Sequence, residues 1–540
     1  MLQREKMSAV DTAWLRMDRP TNLMMIVGVM VFDHRMDFER LRNTVEARLV
    51  GRYRRFRQCA VQEVAGAWWQ DDPDFDLDAH LRRRALPGKA GKKELQALAG
   101  ELAVQPLNPG KPLWRFDLIE DYEGGSAIVV RIHHSIADGM ALVGVILSLT
   151  DASPHAAAQA PVTLEEEAPE ADELPIGLLE TVAQTLSSVL GRGSELGGMA
   201  RDLVSDRDRL AAYGWHGVGL VTELIKLLAM PPDSATSLKG TTSTIKRVAW
   251  SDPIPLAEVK AVCTALGCSV NDVLLSSVAG ALRAYFQQKG ESVEGVEVRA
   301  MIPVNLRTAQ DEGTLGNRFG LGTLLLPLHE GNPFARLFLV RERMNELKGS
   351  YQPALTLGIL AAVGMAPKIV QEEFLDILAA KASTVMTNVP GPKQPLYLAG
   401  SRLEHCMFWV PQSGNIGIGL SILSYNDEVQ FSLITDRHFV PDPQTIVPLF
   451  AAEFEKLLLA LLMLEWKAAL DPALVEQQLF GTQMPPPLSG VVRPKRKAPA
   501  ARRRAATAAR SIHPRQAAAR TGTPAAAPAA RVTKRFRNLG

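Results

Sequence analysis

The segment from His133 to Gly139, which reads His-His-Ser-Ile-Ala-Asp-Gly, constrains this chain more than any other. An apolar run over 127–132 precedes it and predicts a buried strand, and a helix-like run over 140–149 follows. Two imidazoles therefore lie where a strand ends, a position at which a rigid scaffold often presents chemistry. A neutral imidazole has a pKa of about 6.5 and accepts a proton near neutral pH, so either histidine is a candidate general base.

Strand geometry divides the two histidines between two roles. Neighbouring side chains of a strand point to opposite faces. Only one of His133 and His134 can therefore face a given cleft, and we expect the other to be structural. A pair of histidines alone is more often structural than catalytic, but the aspartate and glycine that follow at a fixed step, Asp138 and Gly139, favour the catalytic interpretation.

Strand and helix patterns alternate along the chain and predict a mixed α/β protein. At 540 residues, two domains are expected rather than one. In the first half the patterns predict strands over 27–33 and up to 132, and helices over 38–49 and 92–104. In the second half they predict strands over 246–250, 298–304, 383–388, 403–410, 416–423 and 429–435, and helices over 256–266, 333–347, 355–363, 368–380 and 445–464. A long helix that ends near Gln288 is also predicted, with Ser269 or Asn271 as its cap.

Composition divides the chain into four segments. Residues 1–150 and 245–480 carry the patterns of the two halves, and 151–244 begins with an acidic, Ala- and Pro-rich stretch that predicts a mobile connection. Two apolar helical patterns within this connection, at 176–190 and 218–230, predict either helices that cover the core or a surface that meets lipid. Residues 481–540 are a basic tail.

The tail separates the charges of the chain. The net charge is +2, but the tail from Arg493 onward has 14 basic residues and no acid, which leaves 46 basic against 58 acidic residues elsewhere. With few large apolar residues, the tail is predicted to be disordered. It is either a dispensable extension or an adhesive for anionic lipid, a storage granule or nucleic acid. Its one aromatic residue, Phe536, offers no stacking platform, so no specific nucleic-acid binding is expected.

Cysteine usage and hydropathy bear on location. The four cysteines are scattered without a C-x-x-C pair, which favours a reduced, cytoplasmic compartment and no metal site. The first 22 residues lack the apolar centre of a secretory signal. The apolar run over 23–32 is too short to span a bilayer and predicts a central strand. We therefore expect peripheral association with the inner membrane or lipid inclusions.

The motifs of this chain, in order from about residue 7 to about residue 443, resemble those of the bacterial wax ester synthase/diacylglycerol acyltransferase family. His133 to Gly139 has the HHxxxDG pattern of the chloramphenicol-acetyltransferase-like acyltransferases, the superfamily of this family. The other matching motifs are SAVDTAWL at 8–15, PLW at 112–114, SVNDVL at 269–274, IPVNLR at 302–307, GNR at 316–318 and TNVPGP at 387–392.

This resemblance implies a fold and a reaction. The fold is two chloramphenicol-acetyltransferase-like mixed α/β domains joined by a long connection, with the active site in the tunnel between them. The reaction moves a long-chain fatty acyl group from acyl-CoA to diacylglycerol or a long-chain alcohol, giving triacylglycerol or wax ester. Acyl-CoA is then a co-substrate, and no cofactor or metal is expected because a thioester is already activated. A homodimer is compatible with these features.

The resemblance also implies roles within the turn. It makes His134, the second histidine of the motif, the base that takes the hydroxyl proton, and His133 a residue that packs or hydrogen-bonds elsewhere. Asp138 either orients the histidine, as in serine hydrolases, or pairs with an arginine and holds the turn, and the superfamily favours the second role. Gly139 is expected to allow a close turn at a place where a side chain would block the tunnel.

Residues outside the turn complete the predicted site. Asn271 is either a donor to the developing oxyanion or a helix cap, for which Ser269 is the other candidate. The family often has a glutamate near position 18, and whether Asp18 has taken over its role stays open. We predict that the substrate cleft or the interface between the halves also uses Trp114, Asn305, Arg307 and Asn388.

Two alternatives remain at this point. The first is an HHxxxDG acyltransferase with another hydroxyl or amine acceptor, such as a glycolipid or a polyketide. The second is a coat or tether of lipid granules that uses the basic tail and has little catalysis. The presence of both His134 and Asp138 argues against the second.

Overall fold

The computed structural model describes residues 4–63, 66–155, 233–307, 314–365 and 378–463, together with a few single residues between these ranges. The described strands, in chain order, are β1 (Arg4–Lys6), β2 (Met25–Phe32), β3 (Gln58–Glu63), β4 (Gly66–Asp71), β5 (Leu81–Arg84), β6 (Trp114–Tyr122), β7 (Gly125–His133), β8 (Lys246–Trp250), β9 (Ile254–Pro255), β10 (Glu297–Asn305), β11 (Phe319–Pro327), β12 (Thr384–Pro390), β13 (Tyr397–Leu398), β14 (Ser401–Trp409), β15 (Ile418–Tyr425) and β16 (Glu428–Asp436).

The helices alternate with these strands, as the sequence predicts. They are α1 (Ala9–Arg16), α2 (Phe38–Val45), α3 (Leu77–His80), α4 (Lys92–Leu102), α5 (Gly139–Leu149), α6 (Leu256–Leu266), α7 (Val270–Gln288), α8 (Pro333–Lys348), α9 (Gln352–Met365) and α10 (Ile446–Met463). The helix predicted over 38–49 is α2 followed by a π-helical turn, Glu46–Val50. Short 3-10 turns lie at Arg54–Arg57 and Pro443–Thr445.

The first sheet has the strand order β13-β14-β2-β7-β6-β5. Strand β2 lies between β14 and β7 and is buried along its whole length, which confirms the central strand predicted from the apolar run over 23–32. Strand β7, which leads to the histidines, is antiparallel to both β2 and β6. A smaller sheet, β1-β4-β3, contributes Trp69 to the core on one side of this sheet.

The second sheet has the order β11-β10-β12-β15-β16-β8, with β9 pairing with β16. Strands β10, β12 and β15 are parallel to one another, and the outer pairs are antiparallel. Helices α6, α7, α8 and α10 cover one face and form a large apolar core with it. This mixture of parallel and antiparallel strands under helices confirms the mixed α/β class.

Two strands from the second half of the sequence complete the sheet of the first half. Strands β13 and β14 lie in the stretch predicted to belong to the second half, yet they form the edge of the first sheet, where β14 is antiparallel to β2. An apolar cluster also joins strands of the first sheet to Val248, Trp250 and Ile434 of the second. A hydrophobic pattern predicts a strand but not its partner, so sequence alone could not place β14.

Some predictions fall on other parts of the chain. The helical patterns at 176–190 and 218–230, most of the helix predicted over 368–380, and the basic tail lie outside the described residues. Among the residues described, no single helix is long and apolar enough to cross a membrane; α6 and α7 pass this test only together and are bent by 101° relative to each other.

Candidate active site

The turn with the two histidines is fixed at both ends. Strand β7 ends at His133, and the His134 N–H still donates to the Met24 carbonyl oxygen at 2.7 Å, so the second histidine remains tied to the sheet. At the other end the Asp138 side chain accepts from the Ala141 N–H at 2.9 Å and caps helix α5. A strand end and a capped helix therefore hold the turn. The sequence predicts the strand and the helix, and the structure adds the cap.

The imidazole of His134 lies in an aromatic cluster formed with Trp14 and Phe319. The Trp14 ring stacks on it with centroids 4.1 Å apart and planes 18° apart. The Phe319 ring is 5.5 Å away and tilted by 48°. His134 is only 3% exposed, and burial lowers its pKa to about 4, against the attraction of the nearby Asp138 charge. The ring is therefore neutral at physiological pH, as a general base must be.

A buried amide from the second half holds the backbone of His134. The Asn317 side-chain amide donates to the His134 carbonyl oxygen at 2.8 Å and to Asp11 Oδ1 at 2.8 Å. Arg55 Nη1 lies 3.3 Å from the other Asp11 oxygen. Burial raises the pKa of Asp11, and the Arg55 charge opposes that rise. The opening helix and the GNR motif thus meet behind the candidate base.

His133 has a different set of partners. Its Nδ1 accepts from the Ser135 N–H at 3.1 Å and lies 2.8 Å from Ser135 Oγ. Because Nδ1 accepts, a ring proton is assigned to Nε2, which lies 3.4 Å from Asp18 Oδ2. Asp18 also accepts from the Met24 N–H. The sequence leaves open whether Asp18 has taken over the role of the family's glutamate. In the structure Asp18 faces His133 and not the candidate base.

Asp138 binds an arginine of the second half. Arg307 approaches Asp138 Oδ2 with Nη2 at 3.0 Å and Nε at 3.2 Å, and both side chains are at most 10% exposed. The same oxygen accepts from the Arg318 N–H at 2.9 Å. The Asp138 N–H and Arg307 Nη2 both donate to the Gly316 carbonyl oxygen. These contacts occupy the Asp138 carboxylate. They correspond to the second predicted role, in which Asp138 pairs with an arginine and holds the turn.

Asn271 and Asn388 contact each other. The Asn388 side-chain amide donates to Asn271 Oδ1, which leaves the Asn271 amide N–H groups for another acceptor. The interpretation of Asn271 as a helix cap is wrong, because Ser269 caps α7 and forms a capping box with Asp272. No hydrogen bond joins the asparagine pair to His134 among the described residues.

Trp114 and Asn305 do not lie against the aromatic cluster. Trp114 is 1% exposed inside the core of the first sheet, where it stacks on His80 and its Nε1 donates to the Phe56 carbonyl oxygen at 2.9 Å. Asn305 is exposed and its side chain accepts from the Arg307 N–H at 3.0 Å. These contacts give Trp114 a core role and Asn305 a role in shaping the loop that carries Arg307.

The predicted reason for Gly139 needs a correction. Its φ angle is not positive, and a Cβ atom placed there would meet nothing within 4 Å. The turn therefore does not require a glycine on conformational grounds. A substrate passage would leave open space of this kind beside Gly139. That a side chain at this position would block the tunnel therefore stays a prediction.

Sequence reasoning missed the surroundings of His134. Trp14, Asp11 and Asn317 all lie in quoted motifs, SAVDTAWL and GNR, but no contact between those motifs could be inferred from them. Phe319 directly follows the GNR motif and carried no signal of its own. The Asn317–Asp11 bond alone joins positions 306 apart, and only the fold brings these residues together.

Comparison with known protein families decides the assignment. The profile of the wax ester synthase/diacylglycerol acyltransferase catalytic domain matches residues 7–274, and the C-terminal domain profile of that family matches residues 315–458. The chain belongs to this family. The two profiles together span well over half of its 540 residues, and they include the motifs quoted above except IPVNLR at 302–307, which lies between the two matched ranges.

Individual relatives agree with this membership. This chain is 29% identical to a probable diacylglycerol O-acyltransferase of Mycobacterium tuberculosis over 387 residues, which cover 69% of this chain and 77% of that protein. It is 30% identical to a putative diacylglycerol O-acyltransferase of Mycobacterium bovis over 412 residues, covering 73% and 77%.

Solved structures confirm the fold. The wax ester synthase/diacylglycerol acyltransferase from Marinobacter aquaeolei VT8 superposes with a TM-score of 0.61 at 21% identity, covering 85% of this chain and 99% of that one. A trichothecene 15-O-acetyltransferase from Fusarium sporotrichioides superposes with a TM-score of 0.54 at 10% identity, covering 84% and 95%. The predicted chloramphenicol-acetyltransferase-like architecture is therefore confirmed.

Proposed function

We propose that this family member transfers a long-chain acyl group from acyl-CoA to the hydroxyl of a diacylglycerol or a long-chain alcohol, with His134 as the general base. The observation that carries this proposal is the state of His134: a neutral imidazole, buried at the strand end, stacked on Trp14 of the first half and in contact with the tilted Phe319 ring of the second. Family membership supplies the reaction class, and the relatives named as diacylglycerol O-acyltransferases favour that acceptor.

The proposed reaction passes through one tetrahedral intermediate, and one proton moves from the acceptor hydroxyl to the leaving thiolate. The imidazole of His134 takes the proton of the acceptor hydroxyl as its oxygen attacks the thioester carbonyl carbon. The tetrahedral intermediate then collapses, the carbon–sulfur bond breaks, and the same proton passes to the leaving CoA thiolate. The products are an ester and free CoA. The reaction as proposed needs no metal or organic cofactor, because the thioester carbonyl is already activated.

The developing oxyanion needs a donor, and Asn271 is our candidate. Its Oδ1 is engaged by Asn388, so the rotation of its amide is restrained and the N–H groups have a defined direction. Ser269 and Asp272 form the capping box at the start of α7, so Asn271 is not needed as its cap. An asparagine that a neighbouring amide orients, and that the helix does not use, is suited to transition-state stabilisation.

The acceptors reside in lipid, so we also propose peripheral contact with a membrane or a lipid inclusion. Helix α5 begins directly after the HHxxxDG turn and contains no charged residue. Its outward face exposes Met140 and Leu147 at 37% and 43%. An uncharged helix with exposed apolar side chains next to the site is suited to the surface of a lipid phase.

The decisive experiment measures CoA release from palmitoyl-CoA by the purified protein, with hexadecanol or with a diacylglycerol as acceptor. Release should require an acceptor, and the preferred acceptor identifies the product class. His134→Ala should lower the rate by about 10²–10⁴-fold, the usual contribution of a positioned base. Acceptor-dependent release that His134→Ala leaves unchanged would refute the base, and no release with either acceptor would refute the proposed substrates.

His80 provides the matched control. It is also buried, its ring stacks on Trp114 with centroids 4.6 Å apart, and burial lowers its pKa as well. His80→Ala removes a buried, stacked imidazole without touching the HHxxxDG turn. We expect the folded fraction of this variant to retain the wild-type rate, so that a loss in His134→Ala alone reports on chemistry.

A further inference from the structure

We propose that Trp14 is a positioning residue that sets the plane of the His134 imidazole by stacking, the task that a carboxylate performs by hydrogen bonding in serine hydrolases. This inference rests on the proposed role of His134 as the base. It extends the active site to the opening helix α1 and to a residue that touches the base but not the reacting atoms.

The usual device for orienting a catalytic histidine is occupied elsewhere. The Asp138 carboxylate binds Arg307, the Arg318 N–H and the Ala141 N–H. His134 Nδ1, the ring nitrogen that a carboxylate would engage, is buried without a hydrogen-bond partner. The nearest carboxylate of the turn therefore does not fix the ring.

Backbone contacts fix the position of His134 but not its ring. The N–H donates to the Met24 carbonyl oxygen, and the carbonyl oxygen accepts from Asn317. Both bonds leave rotation about the side-chain torsions free. The contacts that restrict these torsions are aromatic. The Trp14 stack, with centroids 4.1 Å apart and planes 18° apart, opposes rotation of the ring out of plane, and the tilted Phe319 ring lies 5.5 Å away.

Trp14 is itself rigidly held, by both halves of the molecule. Helix α1 is capped by Ser8 and lies against α9 of the second half so closely that a Cβ atom on Gly364 would be 1.8 Å from the Ala9 carbonyl oxygen. Gln371 donates to the Ala13 carbonyl oxygen at 2.7 Å. The Trp14 side chain is 5% exposed and also contacts Phe319. A clamp anchored in this way transmits the geometry of both halves to the base.

The test compares two substitutions at one position. Trp14→Leu keeps an apolar side chain but removes the flat ring, so kcat should fall by about 10²-fold, the usual cost of a base misplaced by about 1 Å, with KM unchanged. Trp14→Phe restores a flat ring and should recover most of kcat. Both variants are assayed for CoA release with the acceptor preferred by the wild type, and rates are normalised to folded protein.

Trp409 is the control for a change in the core alone. It is 1% exposed, and its Nε1 is buried without a partner, as is that of Trp14. Its ring packs near Trp250 and not against His134. This cluster lies on the other side of the first sheet from the core that contains Trp69 and Trp114. Trp409→Leu should lower stability and leave kcat of the folded enzyme unchanged.

A second readout does not depend on turnover. In a protein labelled at histidine Cε1, the His134 proton lies over the Trp14 ring and should resonate upfield of an ordinary histidine; His134→Gln identifies it by its disappearance. Trp14→Leu should remove the upfield shift and Trp14→Phe should keep part of it. This measurement judges the stack even if the wild type fails to turn over palmitoyl-CoA, which would refute the proposed function instead.

Two results would overturn the proposal. If Trp14→Leu keeps the wild-type kcat, Trp14 is a core residue and nothing more. If Trp14→Phe is as slow as Trp14→Leu while its His134 signal stays upfield, the indole N–H rather than the ring plane carries the effect. Loss of kcat in Trp14→Leu, recovery in Trp14→Phe and parallel changes of the His134 signal support the positioning role.

Discussion

The two ends of the HHxxxDG turn are held by opposite kinds of interaction. At the Asp138 end, a buried carboxylate binds an arginine and a backbone N–H of the second half. At the His134 end, aromatic rings surround an imidazole whose Nδ1 has no hydrogen-bond partner. Only three residues separate a charged anchor from an uncharged base.

This difference teaches how one turn serves two purposes. The ion pair fastens the first half to the second. The Asp138 charge favours a protonated imidazole, but the burial of His134 outweighs that attraction. The burial of His134 then determines its protonation state, and its pKa is lowered. The Asp138–Arg307 ion pair keeps the turn rigid, and the burial of His134 keeps the imidazole neutral. The following predictions test whether the two ends are as distinct as this.

The largest effect on stability is expected at the anchor. Asp138→Asn keeps the size of the side chain but removes the buried carboxylate charge that Arg307 and the Arg318 N–H bind, and we expect a loss of about 3–5 kcal/mol in the free energy of unfolding. His134→Gln should instead lower activity and change stability far less. Urea unfolding of both variants checks this dissociation.

An exposed ion pair provides the reference for Asp138. Asp121 and Arg35 lie 2.8 Å apart with side chains that are 67% and 66% exposed, so Asp121→Asn should leave the unfolding midpoint unchanged. If Asp138→Asn behaves like Asp121→Asn, the anchor does not hold the halves together. If His134→Gln unfolds as readily as Asp138→Asn, the two ends are not distinct.

The second prediction concerns the part of the site that the second half supplies. If Asn271 donates to the oxyanion, Asn271→Ala should lower kcat by about 10²–10³-fold. Stability should change little, because Ser269 and Asp272 still cap α7. Steady-state kinetics with acyl-CoA and the preferred acceptor measure this. Asn388→Ala, which only frees the Asn271 amide, should cost less; a loss of stability without a loss of kcat would make the pair structural.

The third prediction uses the pH dependence of kcat/KM to test whether burial lowers the pKa of His134. With its pKa near 4, His134 is neutral at every pH from 5.5 to 8, so kcat/KM should not fall with the titration of a base in this range. An ordinary histidine with a pKa of about 6.5 would be only about a tenth neutral at pH 5.5. A fall in kcat/KM centred near pH 6.5 would show that water or charge reaches the ring.

The same shift predicts the pH dependence of stability. The pKa of His134 is lower in the folded state than its ordinary value of 6.5, so below pH 6.5 the unfolded chain binds a proton that the folded chain does not. Stability from this residue is complete above pH 6.5 and falls as pH drops toward about 4, by up to about 1.4 kcal/mol per pH unit. His134→Gln should flatten this slope, and an unchanged slope would contradict the burial argument.

The sequence predicted the Asp138 end better than the His134 end, for a physical reason. Asp138 caps a helix that begins at the next residue, and its partner Arg307 lies in the IPVNLR segment, one of the motifs by which the sequence resembles the family. Helix caps and buried strands are local and leave a pattern in the sequence. The strands β2 and β7 and the helices α6 and α7 were predicted correctly for the same reason.

The His134 end depends on contacts that leave no local pattern. Trp14 reaches His134 across 120 positions, and Phe319 comes from the other half of the chain. The placement of β14 in the first sheet is equally non-local. A single sequence shows that Trp14 is apolar and periodic, which suits any core residue, and only the packing of α1 against α9 turns it toward the imidazole.

The smallest effect is expected at Gly139, which begins α5 beside the anchor. Since its φ angle is ordinary and a Cβ atom would meet nothing within 4 Å, Gly139→Ala should raise stability by about 0.4–1 kcal/mol, through the lower entropy of the unfolded chain. Gly139→Leu then asks what the open space is for. Gly144 on the same helix has equal free space, so Gly144→Leu is its control. A lower kcat/KM for Gly139→Leu alone would place the substrate passage at the charged end of the turn, whereas equal rates in both variants would mean that the space beside Gly139 is bulk solvent and that the anchor contacts no substrate.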